Sequence, residues 1–318
     1  MLIVAKSAVV VLVANLLFAL NLHPSTPRGE DSILQVPFTF DKNEIFVQVQ
    51  IGGHSPVTMM VDANTDPSTI DLGFARSQNL KLTAVEGEAA GGGSENPQHY
   101  LTIIPSVRVG PVESNDLQAL AIDLGGVSKV LGTDLRGVLG NSFLSGRVVQ
   151  IDYPKKVIRF YSPSSSYHAL TATSRRATFD FKYDEDDGCI IIEGVVIDGK
   201  PVRATIDTGS DGTFKLTPQA AELLGLSQTA RTGQPQDSLG YKGKAQNTKG
   251  TVNRISIGPF QLPSPEVVFF GAGSGRDHKP WQLSIGNAFL KDFILTIDYP
   301  RKQISVEEPG SHSGTGQN

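Results

Sequence analysis

Asp207 closes an apolar run, Val202 to Ile206, and opens the turn Asp207-Thr208-Gly209-Ser210. Asp62 closes a second apolar run, Val57 to Val61. A carboxylate at a strand end, held in a tight loop, is placed for acid–base work. Two such groups held about 3 Å apart cannot both ionise easily, so they share one proton, leaving one member as base and the other as acid. Titration then belongs to the pair. Gly209 permits close backbone approach or unusual φ/ψ, and the Thr208 hydroxyl could lock its loop to a counterpart. Three residues alone are weak evidence, because Asp-Thr-Gly is also an ordinary turn.

The surroundings strengthen the signal, because the chain repeats itself once. Gly140-Asn-Ser-Phe-Leu matches Gly286-Asn-Ala-Phe-Leu, and Ile151-Asp-Tyr-Pro-Lys-Lys-Val-Ile matches Ile297-Asp-Tyr-Pro-Arg-Lys-Gln-Ile. The offset is 146 in both cases (286 − 140, 297 − 151). Val107-Arg-Val-Gly-Pro matches Ile255-Ser-Ile-Gly-Pro, and the segments leading to Asp62 and Asp207 match in the same order. Ordered matches of this kind mean two similar structural units. Within each unit the pattern is β: Phe46 to Ile51 alternates apolar and polar residues, the period of a half-buried strand. Further strands are expected over Val57–Val61, Val148–Ile151, Val202–Ile206 and Phe293–Ile297. One short helix is expected after each aspartate, over Leu72–Asn79 and over Pro218–Leu224, with Thr217 as cap and Pro218 in the first turn.

On these residues the chain resembles the retropepsin-like and pepsin-like aspartic peptidases, most of all the exported bacterial type with two fused retropepsin-like lobes. The motif is apolar-apolar-Asp-Thr-Gly-Ser/Ala followed later by apolar-apolar-Gly. The second half has Ile206-Asp207-Thr208-Gly209-Ser210 and Ser284-Ile285-Gly286; the first has Met60-Val61-Asp62 and Val138-Leu139-Gly140. The resemblance runs from about Val36 to Glu308. It implies an all-β, bilobal acid-protease fold, with two β-barrel-like lobes related by a pseudo-twofold axis. It implies a catalytic pair Asp62 and Asp207, supported by Ala63, Asn64, Thr65, Thr208, Gly209, Ser210, Gly140 and Gly286. A peptide or protein substrate would lie across the cleft under a hairpin flap. Candidate flap residues are Gly92, Tyr100 and Tyr241, in glycine-rich segments that read equally as surface loops. No cofactor or metal is implied. The chain is expected to be monomeric, since its two lobes supply the pair that single-lobe relatives obtain by dimerising.

The first lobe departs from the motif. Ala63-Asn64-Thr65 stands where Thr-Gly-Ser/Ala is expected. Ala63 lacks the hydroxyl that ties the two loops together, and Asn64 is the substitute expected if positive φ is required there. The activity implied is endopeptidase. The alternative is a catalytically impaired, peptide-binding protein on the same scaffold. A third arrangement would pair the Asp207 side chains of two chains.

The remaining sequence bounds the class. The chain has 318 residues, 39 % hydrophobic and 19 % charged, with a net charge of −4. It has no basic stripe of the kind nucleic-acid binding needs. The lone Cys189 sits in an apolar run and reads as a buried strand residue. The six histidines are scattered without metal-ligand spacing. Gly271 to Gly275 has no helix pattern after it, against a nucleotide loop, and Asp184 to Gly188 lacks the later Glu of a calcium loop. Asp152 and Asp298 lie in Asp-Tyr-Pro turns and read as structural. Residues 1–20 carry an apolar run from Ala8 to Leu20 behind Lys6. It has the length of a signal-peptide core, with an uncleaved membrane anchor as the close alternative. Both put the body outside the cytoplasm: periplasmic, secreted, or anchored and facing outward. The expected organisation is then a linker over 21–33, an N-terminal lobe over 34–162, a linker over 163–176, a C-terminal lobe over 177–308 and a disordered tail over 309–318.

Overall fold

The computed structural model describes residues 33–87, 92–93, 95–161, 175–184, 188–271, 274, 276 and 279–310. The leader, most of both expected linkers and most of the tail lie outside the described residues, as do parts of the 184–188 and 271–275 loops. The first half contains β1 (Leu34–Pro37), β2 (Thr39–Asp41), β3 (Glu44–Ile51), β4 (Val57–Val61), β5 (Ser68–Asp71), α1 (Leu72–Ser77), β6 (Thr83–Ala84), β7 (Tyr100–Val109), β8 (Val112–Ile122), α2 (Gly125–Leu131), β9 (Leu135–Leu139), α3 (Asn141–Leu144), β10 (Val148–Asp152) and β11 (Val157–Tyr161). The second contains β12 (Arg176–Tyr183), β13 (Ile190–Ile197), β14 (Lys200–Asp207), β15 (Phe214–Leu216), α4 (Pro218–Leu224), α5 (Ser227–Thr232), β16 (Gln234–Gly240), β17 (Gly243–Thr251), β18 (Arg254–Ile257), β19 (Phe260–Pro263), β20 (Glu266–Phe270), β21 (Leu283–Gly286), α6 (Asn287–Leu290), β22 (Ile294–Asp298) and β23 (Gln303–Glu307).

The protein is an all-β, two-lobed molecule. In the first lobe β3, β4, β9, β5, β8 and β7 pair in that order, and β7 returns to β3, closing a barrel. In the second lobe β13, β14, β21, β15, β20 and β17 follow the same order, and β18, continuing β17, returns to β13. Closure removes the unpaired edges that an open sheet would expose. The lobes are joined by a six-strand run, β1-β11-β10-β22-β23-β12. At its centre β10 and β22 are antiparallel and buried along their whole length.

The helices follow local chemistry. Asp71 caps α1 by accepting from the Phe74 amide at 2.8 Å, and Thr217 caps α4 by accepting from the Ala220 amide at 3.1 Å. Pro218 occupies the first turn of α4, and Gly225 ends it in the left-handed region. To the one helix expected per lobe the structure adds α2 and α3 in the first and α5 and α6 in the second. The single turns α3 and α6 lie in the repeated Gly-Asn-x-Phe-Leu segments, where no apolar period is long enough to announce a helix.

Candidate active site

Each aspartate follows a strand that runs beside the strand carrying the later glycine. β4 is parallel to β9, with Val61 opposite Leu139, and β14 is parallel to β21, with Asp207 opposite Gly286. The Asp62 amide donates to the Leu139 carbonyl at 3.0 Å. The two loops are then clamped alike: the Asn141 amide donates to the Thr65 carbonyl and the Asn287 amide to the Ser210 carbonyl, both at 2.8 Å. Gly140 and Gly286 are required by this closeness. A Cβ at Gly140 would lie 2.2 Å from the Thr65 carbonyl oxygen, and one at Gly286 would lie 2.4 Å from the Gly212 carbonyl oxygen.

The loops also meet each other. Thr208 Oγ1 accepts from the Ala63 amide at 2.8 Å and donates to the Val61 carbonyl at 3.2 Å. Ala63 has no hydroxyl to return the contact. Asn64 replaces it: its Oδ1 accepts from Thr205 Oγ1 across the lobes at 2.7 Å. The positive φ that would have favoured asparagine at position 64 is not found; the side chain's hydrogen bond, not its backbone tolerance, is what the position uses. Gly209 serves by size, since a Cβ there would lie 2.4 Å from Asp62 Oδ2.

Asp62 accepts from the Asn64 amide at 2.8 Å, from Thr65 Oγ1 at 2.5 Å and from the Gly209 amide. Asp207 accepts from Ser284 Oγ at 3.2 Å. Ser210, the counterpart of Thr65, leaves its hydroxyl buried without a partner. Burial raises the Asp62 carboxyl to about 7, and the Asp207 charge adds to it; the Thr65, Asn64 and Gly209 donors oppose the rise. The arrangement thus holds two carboxylates near enough to interact, one retaining its proton well above the usual carboxylate range.

A third carboxyl, Glu44 at the start of β3, is buried beside them. Its nearest hydrogen-bond donor is Asn287 Nδ2, 3.4 Å from Oε2. Burial, then the charges of Asp207, Asp211 and Asp62, push it up to about 9, with Lys215 acting against the rise. The Asp-Tyr-Pro turns also reach the site. Tyr153 donates to Asn287 Oδ1 at 2.6 Å, and Tyr299 donates to Asn141 Oδ1 at 3.1 Å, each crossing to the other lobe. Glu44, Ser284, Thr205, the two asparagines and the two tyrosines were not singled out by type. The repeats marked the last four, since matched Asn and Tyr recur at one offset; Glu44 has no matching acid in the other half to mark it.

The candidate flap residues are placed as follows. Gly92 and Gly93 meet the tip of the β16–β17 hairpin: the Lys242 amide donates to the Gly92 carbonyl at 2.7 Å, and the Glu95 amide donates to the Lys242 carbonyl at 2.8 Å. The two glycine-rich segments therefore join each other. Tyr241 packs on the small apolar cluster of Phe46, Met60, Ile122, Leu124 and Leu135. Tyr100 stands away from the tips, in β7, paired with Ala84 and Ala121 and covered by the Arg76 guanidinium.

No curated protein sequence matches the chain. Among solved structures, basic 7S globulin from soybean aligns with a TM-score of 0.49 at 12% identity, over 90% of this chain and 98% of that one. A family profile described as Aspartyl protease matches residues 47–143 and 194–289, once in each half and with an aspartate of the pair in each match. Those two stretches make up more than half of the sequence, and the chain belongs to the aspartyl protease family.

Proposed function

We propose that the protein is an aspartic endopeptidase that hydrolyses peptide bonds through Asp62 and Asp207. The observation that carries this reading is the electrostatic pairing of the two carboxyls, each at the end of an equivalent strand, with Asp62 raised to about 7. The pair shares one proton, and burial together with the neighbouring charge favours keeping it. The ionised member takes a proton from water, and the neutral member donates to the scissile carbonyl as charge develops on it. The substrate is an extended peptide or an unfolded protein segment, and the chain acts as a monomer. The apolar run of residues 8–20 supports export of the body from the cytoplasm.

Purified protein is expected to cleave an unfolded protein substrate at mildly acidic pH, with activity falling as pH passes about 7 and the pair loses its shared proton. Asp207→Asn should abolish cleavage; cleavage that survives it rules out the pair. The Ala63-Asn64 departure favours a second reading, peptide binding without turnover. Saturable binding of a peptide that the wild-type protein never cleaves would select it.

A further inference from the structure

Glu44 occupies a place where the fold does not need an acid. At the offset of the two aspartates (207 − 62 = 145), which the registers of β3 and β13 share here, its counterpart is Cys189, buried just before β13. The residue before it, Asn43, ties the β2–β3 turn to the second active loop by donating from Nδ2 to the Asp211 carbonyl at 3.0 Å. Glu44 follows into the interior and meets Asn287. That asparagine holds the second loop at two points, with Nδ2 donating to the Thr208 carbonyl at 2.7 Å and the backbone amide donating to the Ser210 carbonyl at 2.8 Å. Tyr153 holds its Oδ1. In the first lobe Asn141 is held by Tyr299 in the same way, but its Nδ2 donates to a backbone carbonyl, Gly188, at 3.1 Å. The two clamps therefore differ: Asn141 Nδ2 meets one backbone carbonyl, whereas Asn287 Nδ2 meets the Thr208 carbonyl and, at 3.4 Å, a carboxyl.

We propose that Glu44 is a positioning residue of the Asp207 loop, acting through Asn287 in its protonated form. The proposal rests on the peptidase reading above. A neutral carboxyl presents one oxygen to Asn287 and keeps its proton on the other, so it imitates the carbonyl of Gly188. The groups facing it require that form. Asp207, Asp211 and Asp62 bring negative charge, Tyr153 contributes only a hydroxyl, and Lys215, the cation that acts on it among the described residues, is 3.5 Å from Asp211. Ionised, Glu44 would place a third negative charge beside the pair and oppose the ionisation that the general base needs. Three carboxyls thus share two protons under working conditions, one within the pair and one on Glu44.

The first measurement does not depend on turnover. The full chain, labelled with 13C at glutamate carboxyls, is titrated by NMR, and Glu44→Gln assigns the resonance. A midpoint well above the ordinary glutamate range is expected; a midpoint within that range overturns the proposal. Hydrogen exchange of the Asn287 amide reads the clamp directly. Glu44→Leu, which removes the acid and keeps a side chain of similar size, should speed that exchange at least tenfold while circular dichroism shows the fold retained, and Glu44→Gln should restore protection. If Glu44→Leu unfolds, the Glu44→Gln exchange decides: loss of protection in that variant sinks the idea. With turnover, Glu44→Leu should lower kcat roughly tenfold with KM little changed, and Glu44→Gln should recover most of the loss without moving the acidic midpoint of the pair. Wild-type kinetics in Glu44→Leu, or a downward shift of that midpoint in Glu44→Gln, would show that Glu44 neither positions the loop nor stays neutral. A wild-type protein with no turnover defeats the peptidase reading alone, since titration and exchange still judge Glu44.

Discussion

Thr205 is fully buried, and its hydroxyl donates to Asn64 Oδ1 across the lobes. Asn64→Gly would restore the familiar motif while leaving that hydroxyl without its acceptor. A buried donor left unpaired costs about 1–3 kcal/mol, whereas removing both partners together is far milder. Asn64→Gly is therefore expected to destabilise the protein by that amount. Thr205→Val in the Asn64→Gly background should return part of it, giving a coupling energy of about 1 kcal/mol in a double-mutant cycle followed by urea unfolding. Additive single effects would mean that the bond carries no net stability. Sequence alone exposed the absence of the Thr-Gly pair in the first lobe. It did not expose the replacement, because residues 64 and 205 are neighbours only after both barrels have closed. The same holds for Glu44: an acid at the head of a strand reads as a polar turn residue until the second lobe encloses it.

At the scale of elements, the strands were the most legible part. β3 holds the alternating run Phe46 to Ile51, β4 is the apolar run Val57 to Val61, and α4 starts where Thr217 and Pro218 say it must. Hairpin turns and loops were less so, since their contacts lie outside any local period. The junction of the two glycine-rich segments is such a case. Gly93 has φ +120°, and a Cβ there would lie 2.1 Å from the Lys242 carbonyl carbon. Gly93→Ala should therefore part the two segments. Hydrogen exchange at the Lys242 and Glu95 amides is expected to rise strongly, while the melting temperature moves by only a few degrees, because contacts confined to one loop junction contribute little to global stability. Unchanged exchange at both amides would show that the junction does not depend on close glycine packing.

For the whole molecule, the buried carboxyls set how stability depends on pH. Asp62 rises from its ordinary 3.8 to about 7 on folding and Glu44 from 4.5 to about 9. A raised folded value means that the native state binds protons the unfolded chain has released. The stabilisation is complete below the unfolded values and is lost as pH climbs through the folded ones. The melting temperature should be highest in mild acid and fall towards pH ~9. Asp62→Asn should remove the slope below about pH 7 and Glu44→Gln the slope above it. A melting temperature that rises steadily across that range would contradict both assignments. The slope also favours the conditions in which the carboxyl pair would work.

The contact between Gln150 and Thr296 has a wider meaning. They face each other at the centre of the β10–β22 pairing, Gln150 Nε2 donates to Thr296 Oγ1 at 3.1 Å, and they are 146 residues apart, the spacing of the internal repeat. Each is thus opposite its own counterpart, on the axis that relates the lobes. If two identical chains met here, this position would have to be complementary to itself, and any substitution would appear on both sides at once. Covalent linkage of the halves lifts that restriction. One side can become an amide and the other a hydroxyl, one active loop can keep threonine while the other adopts alanine and asparagine, and one barrel can bury an acid where its twin buries cysteine. The unlike halves of the site are the freedom that joining two copies into one polypeptide makes available.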